Sequence, residues 1–149
     1  MTRTYFTDRN LGKAFPQALR DAGLAVERFD DHFGPSTADE DWLETIGKKR
    51  WVALSRDRKI RYKPNERDAV MRHGVALLLL GGNASHAELA RNVIATRDRI
   101  EAFLARQEPP FIAKVSPPSP EQLKRFPEQA GSVDMWLSHA QWKRRRHRR

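Results

Sequence analysis

Three aspartates carry the chemistry open to this sequence: Asp8, Asp39 and Asp57. Asp8 follows the strand-like run Thr4 to Thr7, and Asp57 follows the apolar run Trp51-Val52-Ala53-Leu54 through Ser55-Arg56. Asp39 falls in the first turn of a helix expected from near Thr37. Carboxylates meeting on one rim repel one another unless a cation neutralises them. Mg²⁺ and Mn²⁺ take oxygen ligands and keep several of their waters. A cation held this way activates water and offsets charge on a phosphodiester. Taken singly, Asp57 reads as a turn cap and Asp39 as a carboxylate favoured by the helix dipole. The combination, in order along the chain, argues for a metal site. Asn10 suits either a cap on the first helix or a contact to metal-bound water.

Cations surround these acids. From Lys48 to Arg67 there are nine Lys and Arg against two acids, Asp57 and Glu66. Arg56, Arg58, Lys59, Arg61 and Lys63 flank Asp57 and suit the phosphates of a nucleic acid, with a solvated basic loop as the plainer reading. Glu40 has capping-box spacing from Thr37, and Asp41 and Glu44 should face solvent. His32, His73, His86 and His139 lack metal-ligand spacing. Trp42 and Trp51 read as core, and Trp136 and Trp142 as packing of tail helices or partner contacts. Gly81-Gly82 lacks the lysine of a phosphate-binding loop.

The elements that must position the aspartates alternate between strand and helix. Strands are expected at Thr4 to Thr7, Leu24 to Phe29, Trp51 to Leu54, Val75 to Leu80 and Phe111 to Val115. Helices are expected at Leu11 to Ala22, from Thr37, at Pro64 to Arg72, and from a Ser85/Glu88 capping box to about Arg106. Short helices are also read at Pro120 to Phe126 and Val133 to Trp142. Alternation of this kind implies a mostly parallel sheet with helices on both faces. Ligands of such sheets bind beyond the carboxyl ends of the strands, where Asp8 and Asp57 should emerge together.

Composition narrows the field. A chain of 149 residues suits one domain. Without cysteine it has neither a disulfide framework nor a thiolate metal site. No apolar leader precedes the first strand, and Val75 to Leu80 is far too short to cross a bilayer, so a cytoplasmic protein is expected. Six of the Lys and Arg residues lie in the last seven positions, and removing those six from the formal +9 leaves +3. That tail attracts phosphate without reading sequence, or is a solvated end.

The residues then resemble a known family. Tyr5-Phe6-Thr7-Asp8-Arg9-Asn10-Leu11 is similar to the opening motif of PIN domains, an apolar strand followed by Asp-x-Asn. Asp39-Glu40-Asp41-Trp42-Leu43 with Trp51-Val52-Ala53-Leu54-Ser55-Arg56-Asp57 resembles the later motif, in which an Asp opens a helix and a strand ends in Thr/Ser-x-Asp. The likeness is to compact PIN-like relatives of VapC-type toxins and covers roughly residues 4 to 115. It implies a three-layer α/β/α domain with a mostly parallel sheet over residues 1–118, leaving 119–149 as a helical, basic extension.

The resemblance also implies a Mg²⁺- or Mn²⁺-dependent endoribonuclease, commonly the toxin of a toxin–antitoxin pair. Asp8, Asp39 and Asp57 would be its metal ligands, and Ser55 would hydrogen-bond within the site. Larger PIN domains add an acid on an intervening helix that is missing here; Asp30 or Asp31 is the substitute the loop offers, and Asp31 is carried as a supporting residue. Partners would be RNA and a cognate antitoxin protein, without a membrane, with homodimerisation open. The rival reading is a catalytically weak module that binds RNA or protein. A third has the basic tail dock on an acidic partner.

Overall fold

The computed structural model of the chain describes residues 3–56, 63–81 and 84–147. Six strands form one sheet: β1 (Thr4–Thr7), β2 (Ala25–Arg28), β3 (Val52–Arg56), β4 (Ala76–Leu80), β5 (Phe111–Ser116) and β6 (Ser132–Ser138). Their order is β2-β1-β3-β4-β5-β6; β1 to β5 run parallel and β6 lies antiparallel against β5. The chain steps from β1 outward to β2, then returns past β1 to β3. Strand order therefore reverses between β1 and β3, the kind of switch point where open sheets form a ligand crevice.

Helices α1 (Ala14–Asp21) and α4 (His86–Arg106) cover one face of the sheet, and α2 (Asp39–Lys49) and α3 (Pro64–Arg72) the other. The strands sort their side chains with period two. Tyr5, Leu54, Leu78 and Phe111 pack with Phe15, Leu19, Leu89 and Val93. Phe6, Ala53, Leu77, Leu79 and Ile112 pack with Trp42, Leu43, Ile46, Val70 and Met71 on the opposite side. All five residues of β4 are buried, as befits a strand covered on both faces. The expected three-layer α/β/α architecture is the one observed. Among the described residues, no helix is long and apolar enough to cross a membrane.

Several local expectations need correction. Residues 11 to 22 are not one helix: Arg9–Leu11 is a short 3-10 turn, and Gly12 at φ +68° breaks the chain before α1. Thr37 does not cap α2; Ala38 occupies that position without a side-chain bond. Glu40 is instead drawn to α3, where its carboxylate accepts from Arg72 at 2.6 Å and meets His73 Nε2 at 2.9 Å. Residues 133 to 142 divide into strand β6 and helix α6 (His139–His147), after the short helix α5 (Pro120–Arg125). A register shift between Ile112 and Ala113 lets Leu137 reach the α2/α3 side while Val133 and Met135 pack against the α1/α4 side. Part of the expected helical extension thus belongs to the sheet.

Two turns aim the site helices. α2 ends at Arg50, a left-handed residue at φ +58°, and Trp51 N donates back to Ile46 O to start the run into β3. In the last turn of α2, Gly47 lies against α3's end so closely that a Cβ there would meet the His73 carbonyl oxygen.

Candidate active site

Asp8 is the first residue beyond β1, and its backbone N–H continues the ladder to Leu54 O at 3.0 Å. Its Oδ1 accepts the Arg9 N–H at 2.7 Å, which caps the following turn. Its Oδ2 accepts the Ser55 hydroxyl at 3.0 Å across the β1–β3 switch point. Asn10 completes this knot. Its amide donates to Ser55 Oγ and its carbonyl oxygen accepts the Arg56 N–H, both at 3.4 Å. Asn10 therefore ties the turn to β3 rather than capping α1.

Burial pushes the Asp8 carboxyl above the ordinary carboxylate range. The Ser55 hydroxyl, the Arg9 N–H and the Arg9 guanidinium pull it back, while the charge of Asp39 raises it further. The last influence shows that Asp8 and Asp39 sit within electrostatic reach of each other. Asp39 opens α2; its Oδ1 accepts the Trp42 indole N–H at 2.9 Å and lies 3.9 Å from an Arg9 nitrogen. Its side chain is 41% exposed, so it faces the crevice as well as the core.

An acid that sequence reasoning passed over stands beside it. Glu66, in the first turn of α3, is only 16% exposed and pairs with Lys63 at 3.3 Å. Burial raises its carboxyl, and so does a hydrogen bond with Asp39. Neighbouring carboxyl groups favour a proton or a cation between them. A cleft of about 450 Å³ opens here, lined by Asp39, Glu40, Lys63, Asn65 and Glu66. The overlooked signal is positional: Glu66 holds the place in α3 that Asp39 holds in α2, the first turn of a helix starting at the carboxyl edge of the sheet.

The other expected residues divide. Asp31 is not at Asp39; its Oδ1 lies 3.6 Å from Arg28, which also meets Asp30 at 3.6 Å. Glu66 stands beside Asp39, whereas Asp31 pairs with Arg28. Arg56 directs its guanidinium to Ala84 O at 2.6 Å. Asp57, Arg58, Lys59 and Arg61 lie outside the described residues.

Among the described residues, no three carboxylates or histidines gather closely enough to form a complete metal site. Asp39 stands beside Glu66, and its charge is felt at Asp8. This donor set fits a hard divalent cation. Its candidate ligand atoms are all oxygen, burial raises the carboxyls of Asp8 and Glu66, and Mg²⁺ is commonly held by one or two carboxylates with water completing the shell.

Comparison with known proteins identifies the family. A family model described as "PIN like domain" matches residues 4–82, the span from β1 through β4 that carries Asp8, Asp39 and Glu66. A protein of Mycobacterium tuberculosis (strain ATCC 25618 / H37Rv) named "Putative ribonuclease VapC45" is 34% identical over 118 residues, covering 75% of this chain and 85% of that protein. No solved structure gives a significant match. With a parallel sheet, a switch point at Asp8 and a match over more than half its length, the chain belongs to the PIN-like domain family.

Proposed function

We propose that this protein is a metal-dependent endoribonuclease acting as the toxin of a toxin–antitoxin pair. The observation that carries the reading is the Asp8 carboxylate, fixed by Ser55 at the β1–β3 switch point with Asp39 within electrostatic reach. Asp8, Asp39 and Asp57 would hold Mg²⁺ or Mn²⁺, and Glu66 would complete the acidic set. The cation would supply an activated water and offset charge on the phosphodiester.

The chain's own residues do the positioning. Ser55 and Asn10 lock the Asp8 carboxylate so that one face points away from β3. Trp42 fixes the Asp39 rotamer through Oδ1. Glu66 and Asp39 sit where a proton from an attacking water could be held between two carboxylates. In hydrolysis the water oxygen bonds to phosphorus, the bond to the leaving ribose oxygen breaks, and that oxygen takes up a proton. Arg56, Arg58, Lys59 and Arg61 would meet flanking phosphates, while an antitoxin protein would silence the activity by binding the folded toxin.

A second reading, a module that binds RNA or protein without cutting, draws support from the cationic cleft lined by Arg67, Arg145 and Arg146. One experiment separates them. Purified protein is incubated with single-stranded RNA in Mg²⁺, in EDTA, and as Asp39→Asn in Mg²⁺. The nuclease reading expects cleavage only by the parent in Mg²⁺, with the variant's melting temperature retained. Salt-sensitive binding in EDTA with no cleavage under any condition would replace it with the second reading.

A further inference from the structure

Helix α6 carries the sequence Lys143-Arg144-Arg145-Arg146 in its second half, and it is pinned against the domain rather than extended into solvent. Ser138 and Gln141 cap its start reciprocally: Gln141 Oε1 accepts the Ser138 N–H at 2.8 Å, and Ser138 Oγ accepts the Gln141 N–H at 3.1 Å. Trp142 then turns inward, packs against the core beside α2 and α3, and donates its indole N–H to Asp68 of α3 at 2.7 Å. Arg146 lies over that ring at 4.9 Å from its centroid, and His139 stacks on it. A helix fixed at its cap and at its tryptophan presents its arginines in a defined direction.

That direction matters because of what faces it. Arg67 of α3, together with Arg145 and Arg146 of α6, lines a cleft of about 380 Å³. The single acid in the lining, Asp68, is engaged by Trp142. Arg67 follows Glu66 in the same helical turn, and Pro64 borders both this cleft and the one at Asp39 and Glu66. The cationic cleft and the acidic cleft are thus neighbours across the first turn of α3.

We propose that Arg67, Arg145 and Arg146 form a phosphate track that holds single-stranded RNA on the approach to the carboxylates. The inference rests on the ribonuclease reading for its substrate class. Three guanidiniums across one cleft suit consecutive phosphates, which they meet by paired donors. An acidic protein partner is the weaker fit. Protein interfaces centre on apolar or aromatic anchors, whereas Trp142 is already packed and Lys143 to Arg146 beyond it are cationic. Phosphate backbone binding needs only the charges and is unselective for base.

The test measures binding in EDTA, so that it does not depend on cleavage. Fluorescence anisotropy of a labelled single-stranded RNA is recorded against salt for the parent, for the triple variant Arg67→Ala/Arg145→Ala/Arg146→Ala, and for the matching triple lysine variant. Trp142 and Asp68 are left intact, and circular dichroism checks the fold. Loss of three phosphate contacts should weaken binding at least about tenfold and flatten the slope of log Kd against log salt by about 2. The lysine variant should recover most of that slope. An alanine variant with the parent's slope, or a parent that binds no RNA, would overturn the track. So would loss of binding to a polyglutamate peptide with RNA binding unchanged, which would assign the cleft to an acidic protein. Cleavage by parent and alanine variant in Mg²⁺ is read separately. A parent that cuts while the variant keeps its salt slope defeats the track and leaves the nuclease reading standing.

Discussion

Ser55 Oγ donates to Asp8 Oδ2 at 3.0 Å, joining the ends of two neighbouring parallel strands through residues 47 positions apart. This bond sets the direction of the Asp8 carboxylate more firmly than the single backbone bond from Arg9 would. Removing it in Ser55→Ala frees the carboxylate to rotate and leaves the Asn10 amide without its Ser55 acceptor. Losses of roughly 10- to 100-fold in cleavage are expected from such a supporting residue, with the Mg²⁺ requirement shifted upward. A Mg²⁺ titration of RNA cleavage by the two proteins measures both. Unchanged cleavage at limiting Mg²⁺ would show that Asp8 needs no partner on β3.

Glu66 is placed by helix α3 to face Asp39, and burial together with that neighbour raises its carboxyl. Glu66→Gln removes one of two like groups, so the metal-free fold should be no less stable than the parent. Cleavage should nevertheless fall by about 10-fold or more, as for other groups that orient a metal site. Added Mg²⁺ should raise the parent's melting temperature and raise the variant's less, because only binding to the native state stabilises. Equal Mg²⁺-induced shifts would remove Glu66 from the site.

Gly47 lets α2 touch the end of α3, and both helices deliver an acid to the crevice. The Cβ of Gly47→Ala would lie 1.9 Å from the His73 carbonyl oxygen, a backbone atom that cannot rotate away. The helices must separate, at a cost on the order of 1–3 kcal/mol. Since Asp39 and Glu66 ride on the same pair, activity should fall together with stability. Chemical denaturation and an RNA cleavage assay check the two halves; a stable variant with reduced cleavage would still link the packing to the site.

Tyr5 faces the opposite layer and donates to Glu101, which also meets Arg3 at 2.9 Å. Burial first, and then the Glu101 carboxylate, pushes the phenol well above the ordinary tyrosine range. A raised folded value means this contribution is complete below the unfolded tyrosine value and is lost as pH climbs through the folded one. The bond should therefore persist across neutral and mildly alkaline pH. Of the two tyrosines in the chain, one should stay un-ionised in absorbance titration where free tyrosine is half ionised. Tyr5→Phe should lower stability by about 1–3 kcal/mol at neutral pH, the range for a hydrogen bond to a charged group. Two tyrosines ionising together near the ordinary value would contradict the burial.

Much of this arrangement is written into local pattern, and the failures have physical causes. The apolar runs at Thr4 to Thr7 and at Val75 to Leu80 declare strands because each is bounded by turn residues. Pro64 to Arg72 is recovered to the residue, since proline at the first helical position marks its start. Residues 133 to 138 form a strand where a helix is expected: the register shift puts Leu137 on the opposite face from Val133 and Met135, so only pairing with β5 defines this edge strand. At the site, Asp8 is legible because it follows a strand, and Ser55 through the motif that resembles the family's. Glu66 was hidden among nine cations, and only the folded proximity of α2 and α3 reveals that it faces Asp39.

The central claim is that Asp8 at β1's end and Asp39 of α2 hold a divalent cation, with Glu66 of α3 supporting Asp39 from the neighbouring helix. Titrating Mn²⁺ into the metal-free protein, with free Mn²⁺ read by electron paramagnetic resonance, tests it most directly. The account predicts saturable binding by the parent that is weakened at least about tenfold in each of Asp8→Asn, Asp39→Asn and Glu66→Gln. A parent that leaves Mn²⁺ free, or three variants that bind it as tightly as the parent, would contradict the shared site.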